Sequence, residues 1–455
     1  YTKVLNIASH ACWEARYLDE AETFAQRAKS RAEAQNPIDS ANLIMAYFNL
    51  GNIRQWRDEF ELAREQLQRS IDWRTQYRGE DAYISLADIY THLAIVDRFQ
   101  GEYRQSEKKH LKALSFRAAA QENNHPSQAL TYRQLGKTYE ALGRYQDAIT
   151  VHKQSISIYQ QHFGSLSPGL AYAYRMKANA HRYLGDHKSA IHNFNRALTI
   201  GAKTLGENHP RLASTYNNLG IVYYLTGDFD QALAYYQRAF DIQLINHGEQ
   251  SSFVSSGYQN IGNVYQRQGK YAQALGCYQK SLAIELAIRG RVHRYVSNLY
   301  RSMGTVYSQM GEDEKVLEYD QMALEIVLEV FGPQHPLVAA SYHDLAADFT
   351  KLGRHREAIE FHLRALEIRK EVLPIGHYLI ANSYLTLSHA HIAWGKYGEA
   401  ERYHEKAIHI LRYELDRPTD FSQVPRLDLM NYALDDLESF RTRRWEATHA
   451  RPQLD

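Results

Sequence analysis

The sequence has 455 residues, with 53 Lys and Arg against 52 Asp and Glu, so its formal net charge is +1. This balance gives no overall reason to expect nucleic acid or an anionic membrane as the partner. Hydrophobic residues make up 44% and charged residues 23%, which is typical of a folded chain and excludes a disordered one. Two cysteines, Cys12 and Cys277, are too few for a disulfide framework or a zinc site of the usual spacing.

No stretch approaches the roughly 18 uncharged apolar residues of a membrane span, and the first residues show no signal-peptide pattern. We therefore expect no membrane partner and a cytoplasmic location. The first residue is Tyr1 rather than Met, and it opens directly onto a helical pattern. This predicts that the sequence is a segment of a longer chain.

A 42-residue internal repeat organises the chain. A marker glycine returns with this period, and a tyrosine stands eleven positions before each of these glycines. The marker glycines are Gly101, Gly143, Gly185, Gly227, Gly269, Gly311, Gly353 and Gly395. The tyrosines are Tyr90, Tyr132, Tyr174, Tyr216, Tyr258, Tyr300, Tyr342 and Tyr384, and Tyr47 continues the series with Asp58 in place of the glycine.

Each repeat is predicted to be a helix, a turn at the marker glycine and a second helix. Small residues recur five and twelve positions after the marker, and small side chains at helical spacing let two helices approach closely. Pro168 and Pro210 precede their markers by the same interval, where proline suits a first helical turn. Gly164 and Gly206 stand shortly before these prolines, where a residue that tolerates positive φ ends the preceding helix.

The pattern Tyr-x2-Leu-Gly-x2-Tyr…Gly-x-Tyr-x2-Ala-x6-Ala resembles the tetratricopeptide repeat. The 42-residue period and the segment LGENHPRLASTYNNLGIVYYLTGDFDQALAYYQRAF are similar to the longer repeats of kinesin light chains and related adaptors. The resemblance runs from about residue 1 to about residue 415. It implies an all-α, right-handed α-solenoid, a superhelix of about ten helix pairs, and a role in protein–protein interaction as a scaffold or signalling adaptor.

We expect three segments along the chain. Residues 1–38 form a first, divergent helix pair, and residues 39–418 form nine repeats with the 42-residue period. In residues 419–455 the columns fail, because Arg426 and Met430 fall where tyrosine and glycine should be. Apolar residues at helical spacing continue there, so we expect a C-terminal capping helix that covers the last repeat, followed by a tail.

The resemblance implies that the first helices of the pairs line a concave groove that grips a peptide. The groove positions lie thirteen, ten, nine, six, three and two places before each marker, and they hold eight cations and three acids. The cations are Arg98, Arg133, Lys137, Arg175, Arg182, Arg267, Arg301 and Lys351, and the acids are Asp88, Glu140 and Asp344. The excess of five positive charges predicts a partner segment that is acidic or amphipathic.

Amides also concentrate at these positions, from Asn49 and Asn52 onwards. Asparagine is a poor helix former, whereas its side chain offers the donor and acceptor that a peptide backbone needs. The predicted partner-binding residues are Arg133, Lys137, Arg175, Asn179, Arg182, Asn217, Asn218, Gln259, Asn260, Asn263, Arg267, Asn298 and Arg301. The alternative interpretation is a solvated helix face that tolerates any polar residue.

Part of this set is similar to the carboxylate clamp of chaperone-binding tetratricopeptide domains. Arg175 and Asn179 match its first pair of residues, with Arg for Lys. Asn218 matches the asparagine that the clamp has on its second repeat. In the third unit Ser256 and Asn260 stand where the clamp has Lys and Arg. This departure disfavours a chaperone C-terminal tail as the ligand.

The sequence predicts no enzyme, cofactor or metal. No glycine-rich phosphate loop occurs. In HEKAIH the spacing of His404 and His409 is i, i+5, which places the two imidazoles on different helix faces. His404 shares a repeat column, nine positions after the marker, with Tyr236 and Tyr278, so we interpret that column as packing.

Two alternatives to a free-standing interaction module stay open. The first is a ligand-sensing repeat arm of a larger multidomain signalling protein, whose effector or NTPase domain lies upstream of residue 1 and could be a partner within the same polypeptide. The second is a nucleic-acid-binding solenoid, which the neutral total charge and the absence of a regular base-reading pattern disfavour.

Overall fold

The structure of the chain is a computed structural model. It describes residues 2–14, 17–35, 37–77, 85–119, 126–374, 376–415 and Ala433. Every regular element in these ranges is an α-helix. The helices are α1 (Thr2–Glu14), α2 (Leu18–Glu33), α3 (Ser40–Trp56), α4 (Phe60–Gln76), α5 (Leu86–Phe99), α6 (Tyr103–Ala119), α7 (Gln128–Ala141), α8 (Tyr145–Phe163), α9 (Pro168–Tyr183), α10 (His187–Leu205), α11 (Pro210–Thr226), α12 (Phe229–His247), α13 (Ser252–Arg267), α14 (Tyr271–Arg289), α15 (Arg294–Met310), α16 (Asp313–Phe331), α17 (Pro336–Lys351), α18 (His355–Val372), α19 (Tyr378–Ala393) and α20 (Tyr397–Leu415). The prediction of an all-α fold built from helix pairs is confirmed.

The helices form two compact units, residues 1–242 and residues 243–455. Within each unit an odd-numbered helix packs against the even-numbered helix that follows it, as α9 does against α10 and α15 against α16. The even-numbered helix then packs against the first helix of the next pair. In the first unit the first helices α7, α9 and α11 also contact one another in succession, so their exposed positions lie side by side.

The local signals that separate the helices act as the sequence predicts. Gly227 ends α11 in the left-handed conformation with φ of 81°, which costs glycine little because it has no Cβ. Asp58 replaces this glycine between α3 and α4 and also adopts a positive φ, 60°. Pro168 opens α9, and the side chain of Ser167 caps that helix by accepting a hydrogen bond from the N–H of Leu170 at 3.2 Å.

The core is a succession of small side chains facing bulky ones. Ala148, Ala190 and Ala232 are completely buried. A Cβ on Gly220 would lie 2.6 Å from the ring of Tyr236, so the glycine lets the second helix of its pair approach. The predicted packing column nine positions after the marker is buried wherever it holds a ring, at His110, His152, Phe194, Tyr236, Tyr278, His362 and His404.

The predicted capping segment, with Arg426 and Met430, lies outside the described residues except for Ala433. Ala433 is helical, completely buried and packed against the α19–α20 cluster that contains Ala381 and Leu385. Its carbonyl oxygen is 2.8 Å from Nε2 of His404. Among the helices that the structure describes, none is long and apolar enough to cross a membrane.

Candidate functional site

The predicted partner-binding residues fall on first helices in both units. In the first unit, α7 carries Arg133 and Lys137, α9 carries Arg175, Asn179 and Arg182, and α11 carries Asn217 and Asn218. In the second unit, α13 carries Gln259, Asn260, Asn263 and Arg267, and α15 carries Asn298 and Arg301. The two groups lie in different units and are described separately.

In the first unit three of the predicted cations converge on one aromatic ring, that of Tyr172. The guanidinium carbons of Arg133 and Arg175 each lie 4.6 Å from the ring centroid, and Nζ of Lys137 lies 5.3 Å from it. These are cation–π distances. Arg133 and Lys137 share one face of α7 because they are four residues apart, and Tyr172 and Arg175 share one face of α9. We call these four residues the Tyr172 cluster.

The charges of the cluster shift the pKa values of its members. Burial alone raises the pKa of the Tyr172 hydroxyl, but the charge and hydrogen bond of Lys137, with Arg175 and Arg133, outweigh burial and lower it. Burial is also the largest influence on Arg175 and lowers its pKa, which the nearby Arg133 reinforces. Arginine stays protonated regardless, so Arg175 holds a positive charge in a half-buried position at a free-energy cost.

Along the part of the chain that the structure describes, none of the three cations of the Tyr172 cluster forms an ion pair with a carboxylate. Other arginines in the same unit do: Arg144, for example, binds Glu107 and Asp147, each at 2.7 Å. Glu140 is near enough for its charge to act on Arg175, but its carboxylate lies 3.0 Å from Nε2 of the buried His152. The cluster therefore presents positive charge that is mostly unmatched.

A cavity of about 550 Å³ opens beside the cluster. Arg133, Tyr172 and Arg175 of the cluster line it, and so does Arg211 of α11. The remaining lining residues are Trp56, Gln134, Pro168, Gly169, Ala171, Ala197, Gly201, Leu205, Leu212, Ser214 and Thr215. The cavity thus combines apolar lining residues with three arginines, a mixture that ligand pockets commonly show.

Two polar atoms on the cavity's lining residues are buried without a hydrogen-bond partner in the described structure. They are Nε of Arg133 and Oε1 of Gln134. Oδ1 of Asn179, a predicted binding residue on α9, is also buried without a hydrogen-bond partner in the described structure. Atoms in this condition also occur away from the cavity, as at Asn52 and His391, so they do not by themselves identify a ligand site.

Gly201 lies in the wall of this cavity, and Cδ2 of Leu212 occupies the place that a side chain at position 201 would take. The equivalent position holds larger residues in the other repeats, such as Tyr159 and Val327. In the second unit the equivalent cavity lies between α15, α16 and α17 at Val327, and its volume is about 290 Å³. Its Arg301 is paired with Asp344 at 3.1 Å. The same place in the repeat is therefore smaller there, and one of its cations is neutralised.

Several predicted groove amides are engaged within the protein. Oδ1 of Asn263 accepts a hydrogen bond of 2.6 Å from the hydroxyl of Tyr278. The prediction that Asn49 and Asn52 face the groove is wrong, because both are buried. The amide of Asn49 donates to the carbonyl of Asn6 at 2.9 Å, and that of Asn52 to the carbonyl of Phe48 at 3.0 Å.

The columns of charges and amides do not include Tyr172, Arg211 or Gly201. Tyr172 occupies the first of the groove positions in its repeat, but its side chain is neither a charge nor an amide. Arg211 directly follows Pro210 and lies outside the groove positions. Gly201 is a glycine in a column that is otherwise large, and this exception was the signal of the close contact with Leu212.

The cavity is lined by one titratable group besides its arginines, the hydroxyl of Tyr172. Its lining residues include neither a carboxylate nor a histidine or cysteine. Among the residues that the structure covers, no group of three or more His, Cys, Asp or Glu side chains could hold a metal ion.

A family model described as tetratricopeptide repeat matches residues 85–161, 169–244, 254–327, 314–371 and 352–412. No curated protein matches the chain.

The apo form of RapI is a similar solved structure, with a TM-score of 0.58 and 13% identity over 82% of this chain and 98% of that one. A signal transduction ATPase with numerous domains and a tetratricopeptide repeat sensor, from Pyrococcus horikoshii, has a TM-score of 0.52 and 16% identity over 77% of this chain and 53% of that one. A kinesin light chain with tetratricopeptide-like repeats from Podosopora anserina has a TM-score of 0.42 and 19% identity, over 46% of this chain and 98% of that one.

Proposed function

Because the chain belongs to the tetratricopeptide repeat family, we propose that it is a protein-interaction module whose first unit binds an acidic or amphipathic segment of a partner protein. The segment lies along the first helices α7, α9 and α11. The observation that carries the proposal is the Tyr172 cluster beside the 550 Å³ cavity, where three cations have no ion-pair partner among the described residues.

The chemistry of this surface suits a peptide. Arginine donates bidentate hydrogen bonds to a carboxylate, and a hydrogen bond to a charged group contributes about 1.5–3 kcal/mol. The apolar wall, which includes Leu205 and Leu212, can bury an apolar side chain of the ligand at about 25 cal/mol per Å². Asn179 and Asn218, on the neighbouring helices α9 and α11, supply amides for the ligand backbone.

Capture of partners by matched variants tests this proposal. Arg175→Glu reverses a charge inside the cluster. Arg196→Glu makes the same change on the exposed face of the second helix α10, where Arg196 lies over a different ring, that of Tyr174, at 5.6 Å. We expect a partner that the wild-type chain retains from a lysate, identified by mass spectrometry, to be lost with Arg175→Glu and kept with Arg196→Glu. Equal retention by the two variants would place the binding surface elsewhere.

A second candidate function is the ligand-sensing arm of a larger signalling protein. The tetratricopeptide repeat sensor of the Pyrococcus horikoshii ATPase motivates it. The size of the first-unit cavity also favours it, because small-molecule sites have volumes of about 300–1,000 Å³. Sequencing the gene upstream of Tyr1 tests this candidate, which requires an effector or NTPase domain in the same reading frame.

A further inference from the structure

The number of charges in the Tyr172 cluster specifies the ligand more closely than a general preference for acidic segments. We propose that the cluster binds a phosphomonoester dianion, carried as a phosphorylated side chain by the partner segment that occupies the cavity. The claim that a peptide carries the phosphate rests on the proposed function. The claim that the site prefers a dianion rests on the charges of the Tyr172 cluster.

The first argument is the local charge. Arg133, Lys137 and Arg175 contribute three positive charges around one ring, and Glu140 is the carboxylate whose charge reaches Arg175. Over the part of the chain that the structure describes, the three cations therefore exceed Glu140 by two positive charges, and Arg98 of α5, whose charge also interacts with Tyr172 and Glu140, adds to this excess. A carboxylate neutralises one charge. A phosphomonoester carries about −1.5 to −2 at pH 7 and so matches the excess.

The second argument is the arrangement of donors. Each guanidinium can donate two parallel hydrogen bonds to a phosphate, and the guanidinium carbons of Arg133 and Arg175 lie at equal distances, 4.6 Å, from the centroid of the Tyr172 ring. The Tyr172 hydroxyl, which Lys137 contacts, adds a further donor. A phosphate group has three strong acceptor oxygens, which is one more than a carboxylate offers, so it can bond to donors from both α7 and α9.

The third argument concerns what carries the phosphate. The cavity is far larger than one phosphate group, and much of its wall is apolar, with Leu205, Leu212 and Trp56 among the lining residues. A free inorganic anion would leave this wall uncovered. A phosphorylated side chain brings backbone and neighbouring apolar atoms with it, which the wall can bury.

Two small probes with the same ring separate a dianion from a monoanion. We expect phenyl phosphate to bind the full chain at least about tenfold more tightly than benzoate in calorimetry at one ionic strength, since the dianion makes more charged hydrogen bonds. Its affinity should fall as the pH drops below about 6, where the second phosphate proton is gained, while that of benzoate should not. Equal affinities, or phenyl phosphate binding that ignores this pH range, would overturn the proposal.

Variants locate the site. Arg175→Gln and Lys137→Gln should each reduce phenyl phosphate affinity about tenfold, whereas Arg196→Gln on α10 should leave it unchanged. Because Arg175 is half-buried, circular dichroism and thermal unfolding of each variant come first. Lys137→Gln, at a second position of the cluster, keeps the test decisive if Arg175→Gln fails to fold. Phenyl phosphate binding that survives both substitutions would place the phosphate elsewhere and overturn the assignment.

Phosphatase treatment of the lysate distinguishes this inference from the proposed function. We expect Arg175-dependent capture of the partner to be lost after treatment. If capture depends on Arg175 but survives the phosphatase, the inference is wrong and the proposed function stands. If phenyl phosphate binds but no partner depends on Arg175, the proposed function fails, and with it the phosphopeptide as the source of the phosphate.

Discussion

Gly201 of α10 and Leu212 of α11 face each other at the wall of the cavity, and a Cβ added to Gly201 would lie 2.6 Å from Cδ2 of Leu212. Real side chains essentially never approach so closely, so Leu212 can take its position only because residue 201 has no side chain. The equivalent residue in the second unit is Val327, beside a cavity of about half the volume.

We expect Gly201→Val to lower the free energy of unfolding by about 1–3 kcal/mol, because it overpacks the contact with Leu212, and to weaken ligand binding by filling the cavity. Urea denaturation and calorimetry measure the two effects. Gly276→Ala in α14 is the matched control, since its Cβ would meet nothing within 4 Å. That change should stabilise the protein by about 0.4–1 kcal/mol. A stabilising Gly201→Val would contradict the steric argument.

Binding at the Tyr172 cluster should depend on salt and on the sign of residue 175. The affinity for the captured partner segment should fall as salt rises, because exposed charges are screened within about 10 Å at 0.1 M. Arg175→Ala should weaken binding by about 1.5–3 kcal/mol, and Arg175→Glu should weaken it further because it adds repulsion. An affinity that does not change between low and high salt would count against the electrostatic basis of the site.

The first unit should lose stability in mild acid. Burial, helped by the charges of Arg98 and His92, lowers the pKa of His110 to about 3, and burial lowers that of His92 to about 4. Both folded-state values lie below the unfolded value of about 6.5. The unfolded state therefore binds more protons as the pH falls, so stability is complete above pH 6.5 and is lost below it.

Replacement of His110 by an aromatic residue tests this pH dependence. Both ring nitrogens of His110 are buried without a hydrogen-bond partner in the described structure, and the same column holds Phe194 in another repeat. Between pH 6.5 and pH 5, one such histidine accounts for about 2 kcal/mol at about 1.4 kcal/mol per pH unit. His110→Phe should remove that share of the acid sensitivity in urea unfolding. An unchanged slope would show that His110 does not titrate as described.

The second unit should show the opposite trend at higher pH. Burial, together with the charge and hydrogen bond of Asp320, raises the pKa of Asp348 to about 7. The folded-state value lies above the unfolded value of about 3.9, so the folded state keeps a proton that the unfolded state releases. Stability is therefore greatest below the unfolded pKa of about 3.9 and falls as the pH rises from there to the folded-state value of about 7.

Asp348→Asn should reduce this decline, because the amide cannot ionise and still donates a hydrogen bond to Asp320, whose own pKa burial raises. Hydrogen exchange of α16 and α17 at pH 5 and pH 8 measures it. Wild-type protection should fall between the two pH values after correction for intrinsic exchange, and that of the variant should fall less. Ser341→Ala, on the same helix and without charge, should keep the wild-type trend.

Much of the fold could be predicted from the sequence because the interactions that define a repeat are local. The marker glycine at Gly227 takes a positive φ that other residues adopt at a cost, and Pro168 starts a helix because its missing N–H needs no partner there. Gly220 faces Tyr236, which lies on the second helix of the same pair. These signals recur with the period of the repeat, so each repeat predicts the same pair of helices.

The candidate site could be predicted only in part. The charge columns correctly located Arg133, Lys137 and Arg175 on first helices, because helical periodicity determines which face a residue occupies. The same columns could not separate these cations from Arg301, whose charge is paired with Asp344 on the first helix of the next repeat. Whether a cation is paired depends on the side chain that the neighbouring repeat places beside it. One substitution in that repeat is enough to pair the charge or to leave it unpaired.

The sequence by itself therefore determined the helix pairs and the chemistry of their exposed faces. Only the tertiary structure decided that three cations meet at Tyr172, that Leu212 packs against Gly201 in the wall of a cavity, and that Trp56 of α3 lines this cavity together with α9, α10 and α11. The physical reason is that helix formation depends on neighbours within a few residues. A cavity depends instead on how closely helices from different repeats pack, and there a single methyl group alters which side chains meet.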